Sequence, residues 1–523
     1  MTTQRDERVP RGRAALNGVL ATGAGLGAGH FISIVAPAAS PIIAVATRFI
    51  DLTPGPVKDW AKTTLGLADK PVLVVGAILV TLGLGAVVGL VARRSRMAGL
   101  VAGAVLALVA IAAAGVDPAR ETWWFAPGVA ALLVGAWALN RLVQVSGNVT
   151  APALRDADGS AHQLLREPDG GDSSPQDAPR ANPAAVPKGR ARREWMRLAL
   201  GVSGLGAVGG LVGQWPRGSE ASAPNVVLPS RASTPLPPGL ETKVPGISPF
   251  VTPNSTFYRI DTALSPPSLS TKDWKLSITG MVDRPYSISW DELLAMDAIE
   301  RPVTLECVSN EVGEDLIGSA LWLGVRTSEL LARAGVQPGA DMVLSSSIDN
   351  FSVSTPIGAL TDGRDAMVVY AMNGEPLPPK HGFPVRLLTP GLYGFVGATK
   401  WLTTMEVTTY AKKQAYWTKL GWSDHGPIKP SSRIEVPRPG VSVKVGSVTV
   451  GGTAWAHGVG VGSVQVRVDG GPWHDATLGP EAGVEYWRQW IWTWDSTPGE
   501  HELQARVVDL AGKVHDEALA NAF

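Results

Sequence analysis

Long apolar runs separated by short charged segments make up the N-terminal part of the chain, as far as Trp215. A helix needs about 20 apolar residues to cross the hydrocarbon core of a bilayer. Runs of about this length without a charged side chain predict about five transmembrane helices, and their glycine and alanine content suits close helix packing in lipid. The predicted spans are residues 14–36, 71–92, 97–116, 123–139 and 198–215.

Basic residues predict how these spans are oriented. They cluster in residues 5–13, 93–96 and 188–197, which all fall on one side if every span crosses the membrane. Cytoplasmic loops are enriched in Lys and Arg, so we expect the N-terminus inside and everything after Trp215 outside. The loop between the first two spans opposes this orientation, because it also carries Arg48 and three lysines.

The segments on either side of the last span have a polar, low-complexity composition. Residues 146–194 read as a cytoplasmic linker that is disordered over most of its length, and residues 217–248 as a proline-rich extracytoplasmic tether. Arg192 and Arg193, before a glycine-rich span, resemble a twin-arginine export signal, although ordinary positive-inside charge explains them equally well. Residues 221–223 (Ala-Ser-Ala) leave release by signal peptidase open.

Shorter patterns follow in the second half of the chain. Residues 249–412 mix strand-like alternation, as at 275–278, with helix-like spacing at 290–296 and 327–334, where Ser289 and Thr327 are predicted caps. From residue 413 onward alternating Val-rich runs and the hairpin signal Asp469-Gly470-Gly471 predict an all-β domain. We expect a β-sandwich with its tryptophan cluster in the core.

Charge and cysteine content restrict the chemistry. The formal net charge is zero and no basic stripe is interleaved with aromatics, so nothing indicates nucleic-acid binding. Cys307 is the only cysteine, which excludes an intrachain disulfide and a cysteine-based zinc or iron–sulfur site. His30 is the only histidine within the five predicted spans, so one chain supplies no bis-histidine haem site there, and no haem site is evident.

Several motifs between residue 249 and the C-terminus resemble the sulfite oxidase family. They are Thr252-Pro253-Asn254-Ser255-Thr256-Phe257-Tyr258-Arg259, the strand Thr304-Leu305-Glu306-Cys307, His381-Gly382-Phe383-Pro384-Val385-Arg386 and Lys400-Trp401-Leu402. The resemblance implies an α+β domain that holds a molybdenum–molybdopterin cofactor and is followed by an immunoglobulin-like domain, which often forms a dimer interface. Soft thiolate suits such a metal.

The resemblance also implies which residues form the site. Cys307 is the expected catalytic residue and metal ligand. The expected cofactor-binding residues are Asn254, Tyr258, Arg259, Ser346, His381, Arg386, Ala398, Thr399 and Lys400. For Arg386 an ordinary ion pair with Glu375 or Asp365 is the alternative, and for Ser346 the register of its strand is uncertain.

One segment departs from the family. The stretch after Cys307 carries Glu311, Glu314 and Asp315 and no base, whereas sulfite-oxidising members place arginines there. Such a field repels a small dianion, so a neutral sulfoxide is as good a candidate substrate as sulfite unless Lys419, Lys429 or Arg433 supplies the charge.

The sequence therefore predicts a multi-domain protein of the cell membrane. Its parts are a four-span region (1–145), the linker (146–194), a fifth span (195–216), the tether (217–248), a molybdopterin domain (249–412) and an immunoglobulin-like sandwich (413–523). We expect an enzyme that transfers oxygen atoms on a small substrate outside the cytoplasm and exchanges electrons with a separate cytochrome or quinone-linked protein, with a homodimer as a further expectation. A catalytically idle cell-surface binding protein is the alternative, and a transport or quinol-linked membrane subunit is disfavoured by the uncharged spans.

Overall fold

A computed structural model describes residues 9–33, 40–65, 68–117, 123–150, 188–214, 226–229, 235–267 and 269–515 of the chain. The chain divides into two compact units, Met1–Trp215 and Pro216–Phe523. Most of the predicted linker (151–187) and the Ala-Ser-Ala segment (221–223) lie outside the described residues.

The described part of the first unit is helical. Its helices are α1 (Arg11–Ile32), α2 (Pro41–Leu52), α3 (Gly55–Leu65), α4 (Asp69–Arg94), α5 (Arg96–Gly115), α6 (Ala126–Thr150) and α7 (Lys188–Gln214). Within the described residues, three helical stretches are long and apolar enough to cross a membrane, namely Asp69–Arg94, Arg96–Gly115 and Ala126–Ser146. The first and fifth predicted spans form α1 and α7, which do not meet that standard of length and composition, so five spans stay a prediction.

Helix α1 packs against α4, α6 and α7 at very short range. A Cβ built on Gly18 would lie 1.9 Å from the main-chain oxygen of Gly85, and one on Gly89 would lie 2.0 Å from that of Ala14. Asn17, fully buried on the same helix, donates to Ser146 Oγ at 2.8 Å and accepts from Trp195 Nε1 at 2.9 Å. Small residues and polar bonds thus hold α1 inside the bundle.

Two sheets form the first part of the second unit. One has the order β2-β1-β10-β5-β6, with β1 and β10 parallel and the other pairs antiparallel. Its strands are β1 (Lys275–Gly280), β2 (Tyr286–Ser289), β5 (Met342–Ser347), β6 (Ser352–Pro356) and β10 (Leu402–Thr408). Helices α8 (Trp290–Ala295) and α9 (Thr327–Ala334) pack against it through Leu293, Leu330 and Leu331.

The second sheet is antiparallel and carries the cysteine at one strand end. Its order is β3-β4-β7-β8, and β9 pairs with β7. The strands are β3 (Ala298–Glu306), β4 (Ile317–Arg326), β7 (Met367–Met372), β8 (Glu375–Pro376) and β9 (Arg386–Leu388). The short helix α10 (Gly394–Gly397) follows β9.

Two further antiparallel sheets share one hydrophobic core at the C-terminal end. Their orders are β11-β12-β16-β15 and β14-β13-β17. The strands are β11 (Ser431–Val436), β12 (Gly446–Trp455), β13 (Val461–Val468), β14 (His474–Asp475), β15 (Thr477–Leu478), β16 (Arg488–Ser496) and β17 (Leu503–Asp509). Val450, Val464, Trp490 and Val507 meet in that core, so the predicted two-sheet arrangement and the core position of Trp490 agree with the structure. The immunoglobulin-like kinship stays a prediction.

The two predicted helix caps have different outcomes. Ser289 forms a capping box with Glu292 at the start of α8, as predicted. Thr327 was predicted to cap α9, and this is wrong. Thr327 is fully buried, so its hydroxyl needs a partner inside the fold. It donates to the main-chain oxygens of Leu360 and Ala366 instead of capping the helix.

Candidate active site

Cys307 lies directly after β3, at the start of a loop formed by residues 307–316, which we name the Cys307 loop. Its main-chain N–H donates to Leu316 O at 2.9 Å, which closes the loop at its base. Asn310 braces it from within, because its Oδ1 accepts from the N–H of Leu316 and its Nδ2 donates to Glu306 Oε1. Asn310 is a residue that the sequence did not single out.

Burial raises the pKa of the Cys307 thiol, and hydrogen bonds from Ser309 partly offset this effect. Only the thiolate is a strong metal ligand, so a bound cation would be needed to hold it at neutral pH. Glu306 next to it is buried, and burial raises the pKa of its carboxyl group to about 8. Neither Ser309 nor Glu306 places a positive charge beside the Cys307 sulfur.

Arg386 on β9 is a buried cation with few partners. Its Nη1 donates to His381 O at 3.3 Å, its guanidinium lies over the Trp322 ring at 5.3 Å, and its Nε has no hydrogen-bond partner. Burial lowers the pKa of Arg386 to about 10. A buried charge is costly unless an opposite charge meets it, so this side chain is suited to an anionic group.

The alternative of an ordinary ion pair for Arg386 is wrong. Asp365 binds Arg301 and Arg326, at 2.6 and 2.7 Å, and Glu375 accepts from Asn254. Arg386 therefore forms no salt bridge with a carboxylate within the described part of the chain.

Tyr258 carries a phenol on which the charges of Cys307 and Arg386 both act. Burial is the largest cause that raises its pKa; the charge of Cys307 adds to the rise and that of Arg386 opposes it. The ring is stacked on Phe257 at 5.2 Å, and Phe257 in turn makes edge contacts with Trp322 and His381 at 5.6 and 5.5 Å. Phe257 thus packs the predicted 252–259 segment onto the His-Gly-Phe-Pro segment.

His381 is neutral in this surrounding. Burial lowers its pKa to about 3, and the nearby Arg386 and Lys400 act in the same direction. Its Nε2 lies 3.0 Å from the main-chain oxygen of Asn254. Because a carbonyl oxygen can only accept, we assign the ring proton to Nε2, which leaves Nδ1 as an acceptor.

Lys400 and Arg259 share one carboxylate. Lys400 Nζ lies 2.6 Å from Asp261 Oδ2, and Arg259 Nε lies 2.8 Å from the same atom. Burial lowers the pKa of Lys400 to about 8, although Asp261 opposes this change. Asp261 is thus a site residue that the motif comparison missed, and it moderates both cations.

A glycine allows Lys400 and Arg386 to approach each other. Gly382 has φ +112°, and a Cβ built on it would lie 3.1 Å from the Cβ atoms of both cationic residues. L-residues with a side chain rarely adopt this backbone conformation. The glycine of the His-Gly-Phe-Pro segment is therefore required here for backbone and for space.

The remaining predicted residues differ in whether they lie near the cations of the site. Ala398 and Thr399 are buried between α10 and Lys400, and Thr399 Oγ1 lies 2.7 Å from Ser345 Oγ. Ser346 was the predicted pocket residue, but strand alternation turns it to the opposite face from Ser345, so the structure does not bring it to Thr399.

The side chain of Asn254 is engaged in holding a turn. It donates to Met372 O at 3.1 Å and accepts from Asn373 Nδ2 at 2.8 Å. Its main-chain oxygen, rather than its amide, contacts His381.

A cofactor with an anionic tail fits this donor set. The Nε of buried Arg386 has no hydrogen-bond partner within the described residues, Arg386 and Lys400 both approach Gly382, and the Nδ1 of His381 is left as an acceptor. Among the described residues no group of three or more His, Cys, Asp or Glu side chains is arranged to hold a metal ion. A metal here would thus depend on a few protein ligands and on a cofactor.

Comparisons with known proteins agree with this chemistry. Residues 263–417 match the family described as "Oxidoreductase molybdopterin binding domain". Mitochondrial sulfite oxidase of Drosophila melanogaster is 29% identical over 343 residues, which are 52% of this chain and 58% of that protein. NADH nitrate reductase 1 of Oryza sativa subsp. japonica is 29% identical over 50% of this chain and 34% of its own length.

A solved structure is also similar. The sulfane dehydrogenase SoxCD from Paracoccus pantotrophus superposes with a TM-score of 0.46 at 25% identity, covering 50% of this chain and 74% of that one. The chain spans little more than half the length of the sulfite oxidases that it matches.

Proposed function

We propose that this chain, whose residues 263–417 match the molybdopterin-binding oxidoreductase domain and which is similar to sulfite oxidases over 52% of its length, is a membrane-anchored molybdenum enzyme. It would transfer oxygen atoms on a small sulfite- or sulfoxide-type substrate outside the cytoplasm. The observation that supports this most is the buried guanidinium of Arg386, whose Nε has no hydrogen-bond partner within the described residues and whose charge acts on Tyr258.

Each side chain has a distinct part in the proposal. Cys307 would supply the thiolate ligand from a half-buried position at the end of β3. Arg386 and Lys400 bind the anionic tail, and His381 Nδ1 accepts a hydrogen bond from the pterin. The bound cofactor supplies the oxygen-atom transfer and the two-electron chemistry.

The charges around the Cys307 loop favour a neutral substrate over sulfite. Glu311, Glu314 and Asp315 are exposed on this loop. Arg433, one of the bases that sequence reasoning had left open, donates to Glu435, Thr453 and Ser248 and to the oxygen of Glu314. A sulfoxide or a similar neutral oxo compound is therefore our preferred substrate class.

The membrane part of the proposal rests on the helices. Three of them are long and apolar enough to cross a membrane, and basic residues lie at the α4–α5 junction as Arg93, Arg94 and Arg96. The positive-inside rule places that junction in the cytoplasm. Fusing a reporter that is active only outside the cytoplasm to the C-terminus tests the orientation, and an inactive reporter on a stable fusion would reverse it.

Electrons must leave or enter through another protein under this proposal. His30 Nδ1 lies 3.2 Å from Ser40 Oγ, which gives this histidine a local hydrogen-bond role. We propose a separate cytochrome or quinone-linked partner and, from the C-terminal sheets, a homodimer.

Metal analysis is the decisive experiment. The full chain is purified in detergent from cells that make molybdopterin, together with Cys307→Ser, Arg386→Gln and the control Arg301→Gln, whose side chain pairs with Asp365 away from the site. We expect about one molybdenum per chain in the wild type and control, and a large loss in the two site variants. Only trace molybdenum in well-folded wild-type protein would contradict the proposal and would favour a catalytically idle binding protein.

A further inference from the structure

The Cys307 loop is closed across its width at its base, and within its tip one turn is formed by the Glu314 N–H donating to Glu311 O at 3.0 Å. The Cys307–Leu316 bond and the Asn310 brace fix the two ends. The tip, from Glu311 to Asp315, is exposed. A loop of this kind is prone to local opening unless something else holds its tip.

Arg433 holds that tip from the C-terminal sheets. It lies on β11, and its Nη1 donates to the main-chain oxygen of Glu314 at 2.5 Å. This bond joins residues 119 positions apart, so it crosses from one set of sheets to the other within the second unit. The charge of Arg433 also reaches Glu306, where it partly offsets the rise in pKa that burial causes.

The guanidinium is itself fixed in place. Nε donates to Glu435 Oε1 at 2.7 Å and to Thr453 Oγ1 at 3.1 Å, and Nη2 donates to Ser248 Oγ at 2.9 Å. Its side chain is 8% exposed, and the Trp487 ring lies 5.8 Å away. Because the planar guanidinium of Arg433 is held by these other bonds, it fixes the position of the Glu314 carbonyl that also accepts from it.

We propose that Arg433 is a positioning residue that holds the Cys307 loop closed and thereby fixes the Cys307 sulfur. The consequence for metal binding rests on the proposed function, but the closing of the loop does not. The C-terminal sheets would in this way control the metal ligand without touching it.

The sole cysteine provides a direct test. In the full chain purified from cells that lack molybdopterin, every thiol that reacts with monobromobimane is Cys307. Cys307 is half-buried, so its thiol reacts faster when the loop opens and exposes it further, and a hydrogen bond from a charged donor opposes that opening. We expect Arg433→Gln to react about tenfold faster than wild type, which corresponds to about 1.4 kcal/mol of opening free energy. Arg433→Lys, which keeps the charge, should lie between them.

Arg488→Gln is the matched control. Arg488 belongs to the same sheets and donates to the main-chain oxygens of Gly479 and Val461, so its loss weakens the C-terminal sheets without touching the Cys307 loop. It should react at the wild-type rate, with the melting temperature reported for each variant. If Arg433→Gln does not fold, Arg433→Lys is the deciding variant.

A wild-type reaction rate in the folded Arg433 variant would overturn the inference, as would an equal acceleration in Arg488→Gln. Because the measurement uses cofactor-free protein, it separates this inference from the proposed function. In metal-loaded protein, Arg433→Gln should also shift the thiolate-to-metal absorption and lower kcat more than it raises KM.

Discussion

The ring of His381 ties two distant segments together, because its Nε2 donates to the main-chain oxygen of Asn254 at 3.0 Å across 127 positions of sequence. Burial keeps this ring neutral, with its pKa lowered to about 3. The unfolded chain therefore takes up one more proton than the folded chain between pH 3 and the ordinary histidine value near 6.5. Stability from this residue is fully present above about pH 6.5 and falls as the pH drops towards 3.

This linkage predicts how His381→Gln behaves in acid. Glutamine keeps an N–H donor for Asn254 but does not titrate, so the variant should lack a loss of about 2 kcal/mol that the wild type suffers between pH 6.5 and 5. Melting temperatures of the full chain in detergent at the two pH values measure the difference. An identical drop in both proteins would show that the ring is not buried and neutral.

Gly382→Ala should damage the site through the backbone. At φ +112° an alanine is strained by about 1–3 kcal/mol, and its Cβ would press on the Cβ atoms of Arg386 and Lys400. We expect a lower melting temperature and a loss of molybdenum. Gly374→Ala, also at positive φ but with open space around it, is the control and should lower stability while keeping the metal.

Charge on the Cys307 loop should set the preference for substrate charge. We expect Glu311→Gln with Asp315→Asn to raise kcat/KM for sulfite several-fold at low salt, because two repelling charges are removed, and to leave a neutral sulfoxide unaffected. Steady-state kinetics at two ionic strengths measure this effect. A sulfite rate that does not respond to either the substitutions or salt would disprove the electrostatic explanation.

Helix packing in the first unit gives a fourth prediction. Gly89→Val should separate α4 from α1, because even a Cβ at this position would lie 2.0 Å from the Ala14 oxygen. Gly76→Val on the same helix meets nothing within 4 Å and is the control. Size-exclusion profiles in detergent should show loss of monodisperse protein for Gly89→Val alone. Equal profiles would mean that α1 and α4 do not pack in this way.

Local sequence patterns predicted the helices and strands of the site better than they predicted contacts between residues that are far apart in the sequence. The strand that ends at Cys307, the α9 bounds and the sheet-forming runs agree with the structure because periodicity and turn chemistry are local. Ser346 stays a predicted site residue; the hydroxyl that meets Thr399 belongs to its neighbour Ser345, and a shift of one residue reverses the face of a strand. Period alone does not set that register.

Other site residues escaped sequence reasoning because their partners are far away in the chain. Asp261 meets Lys400 across 139 positions and Arg433 meets Glu314 across 119, and neither pair has a local signature. Asn310 acts through the loop closure that only the fold creates. Helix α1 does not reach the apolar composition of the three candidate spans, and a helix enclosed by α4, α6 and α7 does not need an apolar surface on every side, so its crossing of the membrane stays a prediction.

The enclosure of α1 has a consequence for biosynthesis. This helix is translated well before its neighbour α7, which is completed only after residue 214 has been made. Until then the side-chain oxygen of Asn17 cannot accept its hydrogen bond from Trp195 Nε1, which is 178 residues downstream. Helix α1 thus acquires its full set of neighbours only when α7 has been made, shortly before residues 263–417 of the oxidoreductase domain are synthesised.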